Sequence, residues 1–366
     1  MVKPAKTQVH KPDLILLGTT ITLVIFGLLM VYNASPVTSL RDFGDPLHLI
    51  RFQVIWALVG LILGFIIFKI PYTFWRKVSP LIIIFAVILL LAVFIPGLGA
   101  KIYGAQRWLR IGLVGVQPAE FAKLAYIVYL SAFLSKKVKL AQFLLITGLL
   151  AGIVLIQKDM GTTIIITSIG LALYFVAGGV LLHFLILAPV IFTTAAALVL
   201  TSSYRKARFL AFFDPQLDPK GITYHISQAL IALGSGGLFG VGLGESRQKY
   251  GFIPEVTTDS IFAVVGNELG FVGSVVLIAA FLLIIYRGFK IARLAPDKFS
   301  FLVAVGITTW IGLQSLINIA GLSAVLPLTG VPLPFVSYGG SSLVSIILAV
   351  AILLNISRHT KTRVQP

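Results

Sequence analysis

Side chains able to do chemistry are scarce in this 366-residue chain, which has 12 Asp and Glu against 29 Lys and Arg. They are densest between Ser202 and Ser260, from SSYRKARFLAFFDP to GESRQKYGFIPEVTTDS. That stretch holds Arg205, Lys206, Arg208, Lys220, Arg247 and Lys249 among Asp214, Asp218, Glu245, Glu255 and Asp259. Asp259 stands where polar sequence gives way to the apolar run IFAVV. One reading makes it a helix cap, since Thr258, Asp259 or Ser260 can accept from the first free amides of a helix. The other makes it a carboxylate facing a cavity at the membrane surface, able to take a proton from a substrate hydroxyl. Glu268, nine residues on, is about 2.5 turns deeper and on another face, a poor place for a second catalytic carboxylate.

A second cluster comprises Arg107 and Trp108 in GAQRWL with Glu120 and Lys123 in QPAEFAK. A guanidinium beside an indole suits a phosphate, which it can hold through two parallel hydrogen bonds. Glu120 and Lys123, three residues apart, can pair on one helix face, as a structural ion pair or as part of a site. Asp159 in QKDMGTT reads either as a capped corner or as a site residue. The glycines of ALGSGGLFGVGLGES permit close backbone approach or a hairpin-like turn, and no strand-and-helix unit surrounds them to make a nucleotide site. The loop from Pro327 to Ser342, PLTGVPLPFVSYGGSS, can dip into a helical bundle where it lines a cavity. The five His are scattered without ligand spacing, and with no Cys neither disulfides nor thiolate sites form.

Positioning these groups falls to membrane helices. Mean hydropathy is +1.02, with 58% hydrophobic and only 11% charged residues, against about 25% charged in a soluble domain. The pattern predicts an all-α polytopic membrane protein of about ten spans: Leu14–Ala34, Leu47–Ile70, Pro80–Leu98, Pro118–Leu134, Phe143–Ile156, Thr162–Ala177, Leu182–Leu200, Ile261–Tyr286, Phe301–Leu326 and Ser341–Ile356. PYTFWRKV reads as a loop, and the Gly-rich GAKIYGAQRWLRIGLVGVQPAE as too polar to span. The formal net charge of +17 resides mostly in short loops, which favours topology signals over nucleic acid. Lys3, Lys6, Lys11, Arg76, Lys77, Lys136, Lys137, Lys139, Arg287, Lys290, Arg293, Lys298, Arg358, Lys361 and Arg363 fall on one side, so both termini are predicted cytoplasmic. The organisation is then a tail over 1–13, one transmembrane domain over 14–357 with an extracytoplasmic loop 202–260 between spans seven and eight, and a tail over 358–366.

The ordered series GAQRWL, QPAEFAK, KDMGT, YHISQALIALGSGGLFGVGLG, FIPEVTTDSIFAVVGNELG and PLTGVPLPFVSYGGSS resembles the SEDS family of bacterial shape, elongation, division and sporulation proteins, nearer its division and sporulation branch. The resemblance covers nearly the whole chain from span two onward. It implies a peptidoglycan glycosyltransferase of the bacterial cytoplasmic membrane that polymerises lipid II, with a class B penicillin-binding protein and other divisome or elongasome proteins as partners. Asp259 stands where the family has its essential aspartate. The resemblance also draws Gln228, Ser235, Glu255, Thr258, Ser337, Tyr338 and Ser341 into a substrate-binding set with Arg107, Trp108, Glu120, Lys123, Asp159, Arg205, Arg208 and Lys249. Two departures are visible. The usual HTDF reads Thr257, Thr258, Asp259, Ser260 here, and Asn267 replaces one acid of GEELG. No cofactor site is evident, although a divalent cation, Mg or Mn, would suit a diphosphate leaving group. A lipid-linked precursor flippase is the alternative that the many spans allow, and a scaffold activating another enzyme is a third.

Overall fold

The computed structural model describes residues 10–102, 105–112, 114–214, 217–218 and 221–360. Of the residues named above, Lys3, Lys6, Lys220, Lys361 and Arg363 lie outside these. Seven described helices are long and apolar enough to cross a bilayer: α1 (Leu14–Ala34), α3 (His48–Lys69), α4 (Tyr72–Ala92), α8 (Leu181–Leu200), α11 (Ile261–Arg293), α12 (Lys298–Leu322) and α13 (Gly340–Ser357). Three shorter helices of 17 residues, α5 (Pro118–Leu134), α6 (Leu140–Ile156) and α7 (Met160–Val176), pack among them. The chain is a multi-pass, mostly helical membrane protein.

Burial sorts the helices into shells. Most of α12 and α13 is buried, 72% and 83% of their apolar windows, whereas α8 has no buried residue at all. In a bilayer the outward Leu58, Ile62 and Phe65 of α3, and Leu182, Leu185 and Phe192 of α8, meet lipid rather than water, so their exposure costs nothing. The centre is where polar groups can be held by protein.

Two sequence expectations need correction. First, α4 starts at Tyr72, so PYTFWRKV is helix and Pro80 lies inside the span. Proline cannot serve the carbonyl four residues back. Ser79 replaces it, donating its hydroxyl to that carbonyl, Arg76 O, at 3.0 Å, while the Tyr72 amide donates to Asn355 Oδ1 at 3.0 Å. Second, the chain is not all-α. A three-stranded antiparallel sheet is formed by β1 (Gly99–Ile102), β2 (Ala105–Ile111) and β3 (Val114–Val116), with Trp108 opposite Ala100 and Leu109 opposite Val116. The interval 202–260 is also partly helical, in α9 (Ser203–Phe213) and α10 (Tyr224–Ser235), and a short α2 (Pro36–Phe43) precedes α3.

The most consequential irregularity is in α11, which breaks at Gly270 (φ 68°, ψ −164°). Its first part, from Ile261 to Glu268, is buried throughout. The glycine segment after α10 heals the break: Val241 and Gly242 amides donate to Asn267 and Glu268 carbonyls at 3.0 and 3.1 Å, and Phe271 and Val272 amides donate to Gly237 and Leu238 carbonyls at 2.9 and 3.0 Å. A Cβ on Gly240 would lie 2.1 Å from the Glu268 oxygen, which is why this approach requires glycine.

Candidate active site

Asp259 occupies the turn before α11, and no side chain caps that helix, so the carboxylate is not spent on the capping role. Its surroundings come from several segments far apart in the chain. The Thr258 carbonyl accepts from the Ser337 hydroxyl at 2.5 Å, and the Tyr338 amide donates to the Thr257 carbonyl at 2.8 Å. Asn318, on the apolar α12, donates from Nδ2 to the Asp259 and Val331 carbonyls, both at 2.8 Å. The final loop therefore dips into the bundle and is bolted to the turn that carries Asp259 from both sides. Gly330 (φ 73°) forms its lip: a Cβ there would lie 3.0 Å from Asp259 Oδ2 and 3.5 Å from Arg208 Nη1.

The charges around Asp259 decide its proton affinity. Burial is the largest influence and raises its pKa, Glu255 raises it further, Arg208 lowers it, Asp159 raises it and Arg107 lowers it; the net result is pushed up to about 6. Five residues from four separate segments thus feel one another in a single cleft. Arg208 reaches it from α9, donating to the Leu328 carbonyl at 3.2 Å. Arg107 reaches it from β2, donating to the Lys158 carbonyl. Its Nε is buried without a hydrogen-bond partner, which leaves donor capacity for an anion. Asp159 caps α7 through the Thr162 amide at 3.0 Å and also accepts from Gln117 Nε2 at 3.3 Å, so it is both a capped corner and a neighbour of the cleft. The Gln117 amide in turn donates to Ser341 Oγ at 3.0 Å.

Beside the narrow cleft lies a larger cavity of about 470 Å³ between α9, α10 and the chain after α12. Ala207, Ala211, Phe212, Ile226 and Leu326 make its apolar walls, and Arg208, Asp218 and His225 are its polar members. His225 Nε2 lies 2.6 Å from Ser260 Oγ. Burial first, and the Arg208 charge second, push the His225 pKa down to about 4, so the ring is neutral.

Several residues drawn into the substrate-binding set lie elsewhere. Lys249 Nζ is 3.2 Å from Glu268 Oε1 and 2.7 Å from both Asn33 Oδ1 and the Gly244 carbonyl, so it neutralises Glu268 at the helix break. Glu120 and Lys123 form a buried pair at 2.8 Å; Lys123 also donates to Gln314 Oε1 at 2.8 Å and lies over the Trp310 ring. Ser235 accepts from Asn267 Nδ2 at 2.8 Å, which gives the departure at Asn267 a local job. Arg205 donates back to the Leu198 carbonyl at 3.0 Å, Trp108 lies over Gly115, and Gln228 is half-buried on α10. The sequence reading had missed Gln117, His225, Asn318 and Gly330. Among the described residues no group of three or more His, Asp or Glu gathers to hold a metal.

A family profile described as "Cell cycle protein", covering FtsW, RodA and SpoVE, matches residues 13–362. The chain belongs to the FtsW/RodA/SpoVE family. Stage V sporulation protein E of Bacillus subtilis (strain 168) is 39% identical over 363 residues, 97% of this chain and 99% of the relative. A probable peptidoglycan glycosyltransferase FtsW of Trichlorobacter lovleyi is 38% identical, covering 95% of this chain and 94% of its own. Among solved structures, a chain from a peptidoglycan synthase complex that coordinates polymerization and crosslinking superposes with a TM-score of 0.78 at 25% identity, covering 95% of this chain and 98% of its own. The rod shape determining protein RodA of Thermus thermophilus superposes at 0.70 and 25% identity, covering 96% and 98%. For this member of the family, the polar cleft at Asp259 is the place to look for chemistry.

Proposed function

We propose that the chain is a peptidoglycan glycosyltransferase of the bacterial inner membrane that polymerises lipid II into glycan strands, with Asp259 as general base. The observation that carries this reading is the convergence of Asp259, Arg208 and Arg107 on one cleft in a chain of this family. In the reaction a sugar 4-hydroxyl attacks the anomeric carbon of a second lipid II, its proton passes to Asp259, and the glycosidic oxygen leaves with the polyprenyl diphosphate. A carboxylate whose pKa is about 6 is mostly ionised at neutral pH yet basic enough to hold that proton. Arg107 and Arg208, whose charges act on Asp259, supply fixed positive charge to the departing diphosphate in this reading. Thr257, Thr258, Ser337 and Tyr338 hold the turn against the dipped loop, Ser341 ties the end of that loop to Gln117, and Glu255 and Asp159 tune the base.

Ten crossings complete the topology, with α5, α6 and α7 as three short ones, both termini cytoplasmic, and the loop 202–260 outside within a single transmembrane domain. Basic residues flanking the cytoplasmic ends support that orientation. The resemblance to the synthase-complex chain supports a class B penicillin-binding protein as transpeptidase partner, and divisome proteins as its wider setting. A divalent cation, Mg or Mn, would arrive on the diphosphate, whose oxygens supply most of the ligands such ions take from substrates. Asp259→Asn tests the function: purified with its transpeptidase, the variant should make no polymer from lipid II while inserting and folding normally. Polymer at the wild-type rate would remove Asp259 as the base.

A further inference from the structure

The His225 side chain is not used by the reaction as described, yet it lines the 470 Å³ cavity beside the catalytic turn. Its protonation is assigned by its neighbours. Ser260 Oγ spends its one proton on the Pro254 carbonyl at 2.8 Å, so at 2.6 Å from the ring it can only accept. Nε2 therefore carries the hydrogen and Nδ1 keeps a lone pair. No hydrogen bond to Nδ1 forms among the described residues. Ser260 is also the residue that departs from the family's usual phenylalanine, so this pairing belongs to the present chain.

A bare imidazole lone pair sorts ligands by chemistry. It offers nothing to a diphosphate, which has no proton to give, so Arg208 at the Asp259 end of the same cavity is left to hold one and His225 faces another part of the substrate. A polyprenyl chain would leave the Nδ1 lone pair unsatisfied. A hydroxyl or an acetamido N–H on a sugar satisfies the lone pair, while the apolar walls suit the sugar ring faces. The cavity borders the base directly, because Leu328 lines both spaces and Arg208 reaches from one to the other.

We propose that His225 is a substrate-specificity residue: held as the Nε2–H tautomer by Ser260, it accepts at Nδ1 a hydrogen bond from a sugar hydroxyl or acetamido N–H of the polymerase substrate. This rests on the glycosyltransferase reading above. A second role follows from the same contact, since the His225–Ser260–Pro254 chain of hydrogen bonds also pins the turn that carries Asp259.

Two substitutions separate binding from pinning. Glutamine places its amide nitrogen near Nε2, keeping the bond to Ser260, with its carbonyl oxygen turned to the opposite edge from Nδ1. Asparagine places a polar atom near Nδ1 and cannot reach Ser260. With full-length protein, its transpeptidase and lipid II, H225Q should raise KM about tenfold with kcat within about twofold, the loss of one hydrogen bond made equally in ground and transition states. H225N should keep KM within about twofold and lower kcat. If His225 only pins the turn, H225Q matches wild type and H225N loses kcat, and the proposal is overturned. An unchanged KM in H225Q overturns it as well. Should H225Q fail to assemble, H225A takes its place: a KM raised about tenfold supports the proposal, and a KM within about twofold of wild type overturns it. Wild type that makes no polymer under these conditions counts against the glycosyltransferase reading itself, which is a separate outcome.

Discussion

Replacing Glu255 by glutamine gives the sharpest test of how the cleft sets its base. The Asp259 pKa stands at about 6 against an ordinary value of 3.8, a difference worth about 3 kcal/mol. Burial supplies the largest share and the Glu255 charge the next. Removing that charge without changing shape should cost the protonated form of order 1 kcal/mol, which moves the acid-side midpoint of kcat/KM down by roughly 0.7 pH unit. Arg208→Gln should move it the other way, because the guanidinium favours the carboxylate, and should also lower the maximal rate. The sign for stability is the reverse of that for activity. An acid whose folded pKa is raised holds its proton in the native state between pH 3.8 and about 6, so its favourable contribution is complete below 3.8 and is lost as pH rises through 6. Above pH 6 the wild type bears a poorly solvated charge that Asp259→Asn lacks, so the inactive variant should melt at a higher temperature at pH 7.5, and the gap should close near pH 4. Polymerisation of lipid II between pH 5 and 8, with thermal melting of the same samples, measures both. An alkaline shift in E255Q, or a D259N variant less stable than wild type at pH 7.5, would refute the reasoning.

Other variants probe the supports of the site. Gly330→Ala must place a side chain at φ 73° and 3.0 Å from the Asp259 carboxylate, so polymerisation should fall at least tenfold in protein that still reaches the membrane; wild-type activity would show that the lip yields easily. Lys123→Met should destabilise the bundle by about 3–5 kcal/mol by stranding Glu120, and adding Glu120→Gln should recover most of it, as read by detergent melting curves. Asn318→Ala should lose about 1–3 kcal/mol by orphaning the Asp259 and Val331 carbonyls, with a fall in kcat larger than any change in KM.

What the sequence revealed follows from which forces are local. Helices such as α1 and α5 could be read to the residue because an apolar run bounded by Asp13 or Pro118 leaves little choice. Pro80 misled because proline was taken as a boundary, and only the Ser79 hydroxyl makes it acceptable inside a helix. The sheet was missed because strands of 4, 7 and 3 residues among glycines carry too little alternation to register. In the site, the charged residues stood out as motifs, while Asn318 and His225 did not. A single polar side chain in a helix acquires meaning only through the carbonyl or hydroxyl facing it. Lys249 was counted toward the diphosphate for the converse reason: its partner Glu268 sits 19 residues on, inside the bundle, where sequence spacing shows no contact.

The broken helix also constrains how the protein is made. The segment Ile261–Glu268 carries a buried carboxylate and ends at a glycine whose neighbours lack helical partners, so it is a poor candidate for stable insertion by itself. Its neutralising Lys249 and its missing backbone partners at Gly237, Leu238, Val241 and Gly242 all precede it in the chain and leave the ribosome first. The N-terminal side of the break must therefore be waiting, with Asn33 of α1 already across the membrane, when the acidic half-helix arrives. Assembly of the turn that carries Asp259 should thus proceed from the N-terminus, and a nascent chain stopped before Phe271 would hold every charge of the cleft without the second half of the helix that fixes it.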